Sequence, residues 1–215
     1  MLIQPGSKLV MIGDSITDSS RERPVGEGLF EALGKGYVSI VNGLIGAASP
    51  GDGIRVVNMG TSGNTVRDLE KRWETDVVGL KPDWLSVMIG TNDVWRQFDS
   101  PLQTEWHVTI GEYETILGRL CADIRPSLKG LVLMTPYFIE PNRSDPMRAA
   151  MDGYGAVVKM LAAKHKAVFV DTQTPFDAVC AKMHPVALGW DRVHPNAIGH
   201  AVIARAFLKA VGYEW

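Results

Sequence analysis

Four separated stretches of this sequence carry side chains that can do chemistry together. In Gly13-Asp14-Ser15-Ile16-Thr17 a serine stands two residues past the glycine that ends an apolar run. Serine has two uses there. As an N-cap its hydroxyl accepts a backbone N–H two or three residues on, and as a nucleophile it stands on a rim with its own N–H free to face an oxyanion. Near the other end of the chain, Trp190-Asp191-Arg192-Val193-His194-Pro195 sets a carboxylate and an imidazole three residues apart, just ahead of a helical pattern. Turned inward together, Asp191 accepts the Nδ1 proton of His194, fixes the tautomer and leaves Nε2 as a base. Taken alone the pair is equally a salt-bridged cap. Pro195 suits a first helical turn and sets the direction in which the histidine projects.

Two middle stretches offer what that trio lacks. Acyl transfer builds negative charge on a carbonyl oxygen, and donors already aimed at that oxygen supply much of the rate enhancement. Gly63, in Gly60-Thr61-Ser62-Gly63-Asn64, offers an unobstructed backbone N–H. Asn92, in Gly90-Thr91-Asn92-Asp93, offers a side-chain amide, and the Ser15 N–H is a third donor. Singly, Gly63 is as readily a turn glycine needing positive φ and Asn92 a helix cap. The order Ser, Gly, Asn, Asp-x-x-His along one chain is what joins them into a single reaction.

Short apolar runs bounded by turn residues must carry these groups: Leu9 to Ile12, Ile54 to Asn58, Trp84 to Ile89, Leu131 to Met134 and Ala167 to Val170. They are nearly continuous in Val, Ile, Leu and Met, the pattern of parallel strands covered on both faces. Between them run segments with helical spacing: Tyr37 to Ala47, Thr65 to Val78, Ile110 to Ile124, Met147 to Lys164, Phe176 to Met183 and Ala197 to Val211. Strand and helix alternate, which predicts an α/β fold: a three-layer α/β/α sandwich, flavodoxin-like, around a central five-stranded parallel sheet whose ligand lies at the carboxyl ends of the strands. The first three strands each run straight into one of the polar or glycine-rich stretches above, so all three stretches belong on one rim. Ser19 to Lys35 and Val94 to Val108 read as long connections that wall a pocket.

With 215 residues and no repeat or linker, the chain reads as one domain over 1–215. A net charge of −2 gives no positive field to collect nucleic acid or anionic lipid. Neither a signal peptide nor an apolar run long enough to span a bilayer is legible, so the expected location is cytoplasmic, with no membrane partner. Cys121 and Cys180 are expected as free thiols among apolar neighbours.

The four stretches resemble the blocks that name the SGNH (GDSL-like) hydrolases, over nearly the whole chain. The resemblance implies Ser15 as nucleophile, Ser15, Gly63 and Asn92 as the oxyanion hole, His194 as base and Asp191 as its orienter. The first block has Ile16 where the GDSL pattern has leucine, an apolar exchange. A closer similarity, to intracellular bacterial acetylxylan esterases of this superfamily, runs through Arg23-Pro24-Val25-Gly26-Glu27-Gly28, Asn92-Asp93-Val94-Trp95-Arg96-Gln97, Met134-Thr135-Pro136-Tyr137 and Gly212-Tyr213-Glu214-Trp215. It implies deacetylation of xylo-oligosaccharides or related sugars through an acetyl-enzyme.

Trp95 and Trp190 lie beside rim residues and can stack on a sugar ring or pack in a core or interface. Asp14, Asp93 and Arg96 are expected as structural partners of the site. No cofactor and no metal is expected, and the partners expected are an acetylated saccharide and other copies of this chain, with Tyr213 and Trp215 as interface anchors, Trp215 alternatively folding back on its own domain. Other readings are a broader SGNH esterase, thioesterase or lysophospholipase; a metal-dependent phosphoesterase using Asp14, Asp18, Asp93, His107, His184, Asp191 and His194; or a non-catalytic flavin or carbohydrate binder.

Overall fold

The computed structural model describes residues 1–214, around a parallel sheet of Lys8–Gly13 (β1), Arg55–Gly60 (β2), Trp84–Met88 (β3), Gly130–Met134 (β4) and Val168–Val170 (β5). The strand order is β2-β1-β3-β4-β5, the flavodoxin-like order, with every neighbouring pair parallel. The helices are Ser15–Asp18 (α1), Tyr37–Ala48 (α2), Val66–Lys71 (α3), Thr91–Asp99 (α4), Ile110–Ile124 (α5), Pro146–Lys164 (α6), Gln173–Cys180 (α7) and Ala197–Ala210 (α8).

Burial explains why the strands are uniformly apolar. Val10 and Ile12 of β1 point into a core filled from α3, α5 and α6 by Leu69, Leu117 and Met151. Leu9 and Met11 point into a second core filled from α2 and α8 by Val41, Ile203 and Phe207. With helices on both faces, no side of the strand is left for polar residues. The result is the three-layer sandwich.

Register sets the rim. Gly13 pairs with Gly60 of β2 and with Met88 of β3, so the three strands end at nearly one level. The chain leaves β1 with β2 on one side and β3 on the other, the topological switch point at which such sheets open a crevice.

Several elements depart from the boundaries the sequence suggests. The stretch Val94 to Val108, expected as a connection, is helical through Asp99. In α4 the first-turn residues Thr91, Asn92 and Asp93 are buried alongside Val94, so its inward face is mostly polar and shows no apolar stripe. The helix expected over Thr65 to Val78 stops at Lys71 and resumes as a wider π turn at Glu74–Val78. The α7 helix begins three residues before Phe176, with the Asp171 carboxylate accepting the Thr174 N–H at 3.0 Å.

The connection between α1 and α2 does more than wall a pocket. Gly26 and Asn58 exchange backbone hydrogen bonds of 3.1 and 2.8 Å, covering the outer edge of β2. Buried Arg21 fastens it further, donating to the Gly60 carbonyl at 2.7 Å and the Pro24 carbonyl at 2.8 Å. Cys121 is buried in α5, Cys180 is partly buried at the end of α7, and both are free thiols. No helix among the described residues is long and apolar enough to cross a membrane. Tyr213 folds back, its hydroxyl donating to the Leu44 carbonyl at 3.0 Å, whereas Trp215 lies outside the described residues.

Candidate active site

Ser15 is the first residue of α1, directly beyond β1. The cap of this short helix is Asp14, whose carboxylate accepts the Ile16 N–H at 3.0 Å. The capping use open to Ser15 is therefore taken by its neighbour, and the Ser15 hydroxyl is released for other bonds. The turn is tight enough to require Gly13. A Cβ there would stand 2.3 Å from both the Met88 carbonyl oxygen and Thr17 Oγ1.

The Ser15 Oγ lies 2.8 Å from His194 Nε2, and His194 Nδ1 lies 2.7 Å from Asp191 Oδ2. The other Asp191 oxygen accepts the Val193 N–H at 2.9 Å and the His194 N–H at 2.8 Å. Closing this turn puts Arg192 at φ 62°, a left-handed conformation that costs a non-glycine residue about 1 kcal/mol or more. Neighbouring contacts hold it: the Ile139 N–H donates to the Arg192 carbonyl at 2.9 Å, the Tyr137 hydroxyl to the Val193 carbonyl at 3.1 Å, and the Arg192 guanidinium pairs with Glu140. Partial burial alone would raise the Asp191 pKa. The hydrogen bonds from the His194 ring and from the two backbone N–H groups outweigh it and hold the carboxyl below its usual range. Asp191 therefore remains an anion facing the imidazole at neutral pH.

Ser15, Gly63 and Asn92, the expected donors, line one cleft. The Ser15 N–H is in the first turn of α1, where backbone donors have no acceptor within the helix. The Asn92 amide is fixed at both ends, its Nδ2 donating to the Asn64 carbonyl at 3.0 Å and its Oδ1 accepting from Arg96 at 3.2 Å. That orientation leaves the second Nδ2 proton free of both contacts. Gly63 has φ 80°, so the positive-φ requirement of a turn glycine is met, and no atom lies within 4 Å of where its Cβ would be. The loop that carries it is pinned by Asp18, which accepts the Ser62 N–H at 3.0 Å and the Ser62 hydroxyl at 2.7 Å and pairs with Arg23 at 2.6 Å.

Arg72, which motif reading passed over, ties the rim together. It donates to the Gly13 carbonyl at 2.9 Å, the Met59 carbonyl at 2.7 Å and Asn64 Oδ1 at 2.6 Å, joining the ends of β1 and β2 to the Gly63 loop. Its only sequence signal is the i,i+4 pairing with Asp76, and that does not point to a rim.

Two carboxyls lie buried behind the site. Burial pushes Asp14 up to about 6 and Asp93 up to about 7. Asp93 Oδ1 accepts the Val66 N–H at 2.9 Å, while its Oδ2 is buried without a partner. Both fit their expected structural role, as does Arg96.

An open cleft of about 450 Å³ lies over the serine, walled by Ser15, Ser19, Ser62, Asn92, Trp95 and His194 among others. Trp95 meets the His194 ring edge-on at 5.6 Å and carries the Arg96 guanidinium at 4.7 Å over its own ring. Trp190 stands apart from the cleft lining, 82% exposed. Of the side chains considered as metal ligands, His107 is bonded to the Ser100 carbonyl at 2.9 Å and His184 caps the turn at Pro185–Ala187. No three His, Cys, Asp or Glu side chains converge as a metal site among the described residues.

Comparison with known proteins gives a consistent picture. The profile of the GDSL-like Lipase/Acylhydrolase family matches residues 11–202. An acetylxylan esterase of Geobacillus stearothermophilus is 57% identical over 215 residues, covering 100% of this chain and 98% of its own. Crystal structures of catalytic mutants S15A, D191A and H194A of Axe2, an acetylxylan esterase from that organism, superpose with a TM-score of 0.99 at 56% identity, covering 100% of this chain and 98% of theirs. LAE5, an alpha/beta hydrolase enzyme from the metagenome of Lake Arreo, Spain, is 55% identical with a TM-score of 0.98, covering 99% of this chain and 98% of its own.

Proposed function

The chain belongs to the GDSL-like lipase/acylhydrolase family, and from that premise we propose that it is a serine esterase removing O-acetyl groups from acetylated xylo-oligosaccharides. The observation that carries this reading is the unbroken chain from Ser15 Oγ through His194 to Asp191, at 2.8 and 2.7 Å, opening on a solvent-accessible cleft.

His194 Nε2 takes the Ser15 proton as Oγ attacks the acetyl carbonyl, and Asp191 holds the imidazolium that forms. The carbonyl oxygen becomes negative within reach of the Ser15 N–H, the Gly63 N–H and the free Asn92 Nδ2 proton. His194 then returns its proton to the departing sugar oxygen, and the acetyl group stays on Ser15. In the second half His194 deprotonates water, which attacks the same carbonyl. Acetate leaves and Oγ recovers its proton.

The identity to an acetylxylan esterase over the full chain supports acetylated saccharide as substrate, and the lining of the cleft agrees with it. Ser19, Ser20, Ser62 and Arg96 suit hydroxyls better than a fatty acyl chain. The reading assigns substrate contact to Trp95, a wall of the cleft, and to Trp190, an exposed aromatic face one residue before Asp191. A cytoplasmic location belongs to the same reading, with short saccharides as substrates because polymeric xylan does not enter a cell. We infer a homo-oligomer from large apolar side chains left on the surface, Leu29 at 79%, Phe30 at 93% and Leu102 at 86% exposed.

The test is an acetate-release screen across acetylated xylose, acetylated xylo-oligosaccharides, other acetylated sugars and longer-chain esters. Preference for the acetylated xylose series supports the reading, and a preference for long acyl chains overturns it.

A further inference from the structure

A second pocket, of about 330 Å³, adjoins the catalytic cleft and shares two of its walls, Gly63 and Arg96. Its far side is the Trp106 indole, 52% exposed, and its floor comes from α3 through Arg67, Asp68 and Lys71. No step of the esterase chemistry above uses it.

Three features fix what it can take. First, Trp106 is exposed yet its backbone is held. The Arg67 guanidinium donates to the Glu105 carbonyl at 2.8 Å and to the His107 carbonyl at 3.0 Å, on either side of the tryptophan, and pairs with Glu112 at 2.6 Å. A large apolar face kept toward solvent on a clamped turn is a preorganised stacking platform. Second, the cations around it already have anions: Arg67 pairs with Glu112, Lys71 with Asp68 at 3.0 Å, and Arg96 with Asp99. No unpaired positive cluster is offered to a phosphate, while the paired ions still present hydrogen-bonding atoms to neutral hydroxyls. Third, the shared walls set the two spaces side by side, as neighbouring units of one linear ligand require.

We propose that this pocket is a second saccharide subsite, where the Trp106 indole stacks on the sugar unit next to the one losing its acetyl group. The assignment rests on the saccharide-esterase reading and makes Trp106 the residue that selects oligosaccharides over single sugars.

The test compares wild type, Trp106→Ala and Trp106→Phe by kcat/KM on 4-nitrophenyl acetate, acetylated xylose and acetylated xylotriose. Because Trp106 is exposed on a short turn, both variants should fold, and an unchanged rate on 4-nitrophenyl acetate confirms it. Truncating an aromatic anchor commonly costs more than 1 kcal/mol, so Trp106→Ala should lower kcat/KM on the trisaccharide about tenfold, mainly through KM. The two small substrates should be unaffected, and Trp106→Phe should retain most of the trisaccharide rate. Equal trisaccharide rates for wild type and Trp106→Ala overturn the subsite while leaving the esterase reading intact. A wild type that hydrolyses 4-nitrophenyl acetate but neither saccharide overturns the saccharide reading, and the subsite with it.

Discussion

The Ser15 hydroxyl stands 2.8 Å from His194 Nε2 although 179 residues separate them along the chain. Neither partner holds the contact alone. Ser15 is fixed by the cap that Asp14 places on α1, and His194 by the Asp191 turn docked on Tyr137 and Ile139.

That docking makes Asp191 an orienter whose loss is kinetic. Asp191→Asn keeps an oxygen for the backbone N–H groups but removes the charge facing Nδ1. In serine triads this exchange costs about 10⁴ in kcat, and a similar loss is expected here with near-native stability. Steady-state kinetics together with thermal melting separate the two effects.

Asn92 has one Nδ2 proton committed to Asn64 and its oxygen held by Arg96. Asn92→Ala should lower kcat about 10² to 10³ with KM little changed, since the lost hydrogen bond forms mainly in the transition state. A rise in KM at constant kcat would instead mark Asn92 as a ground-state binding residue.

Gly13 and Gly63 should respond differently to alanine. At Gly13 the new Cβ meets a backbone oxygen at 2.3 Å, so Gly13→Ala should destabilise strongly or prevent folding. At Gly63 no neighbouring atom lies within 4 Å, and only φ 80° opposes the methyl group, at about 1 kcal/mol. Chemical denaturation of the two variants should therefore give very different midpoints.

Asp93 ordinarily ionises near 3.8 and inside the fold near 7, so between those values the native chain holds a proton that the unfolded chain has released. Stability should fall as pH rises through that window, by up to about 1.4 kcal/mol per pH unit for one proton. Asp14, pushed up to about 6 by burial, adds a second contribution of the same sign. Asp93→Asn keeps an acceptor for the Val66 N–H but cannot ionise, so its stability profile from pH 4 to pH 7 should lose one such slope relative to wild type. Parallel profiles for the two proteins would show that Asp93 does not titrate in the fold.

Ser15, Asp191 and His194 were legible because each is carried on a short local pattern, a strand end or a pre-helical turn, that keeps its form in sequence. The parallel sheet was legible for a similar reason, since strands covered on both faces leave continuous apolar runs. Arg67 and Arg72 were not, because each acts by donating to backbone carbonyls of remote segments, and a carbonyl leaves no trace in residue type. The α4 helix was missed because its inward face holds Asn92 and Asp93, which the site requires to be polar. Trp106 carried no sequence signal, since its exposure depends on a turn that Arg67 clamps from a remote helix.

Acetate release by Ser15→Ala, measured beside wild type on acetylated xylo-oligosaccharide and on 4-nitrophenyl acetate, tests the nucleophile most directly. A fall of about 10⁴ to 10⁶ in kcat with an intact fold is the expected result. Turnover at the wild-type rate on either ester would contradict attack by the Ser15 oxygen.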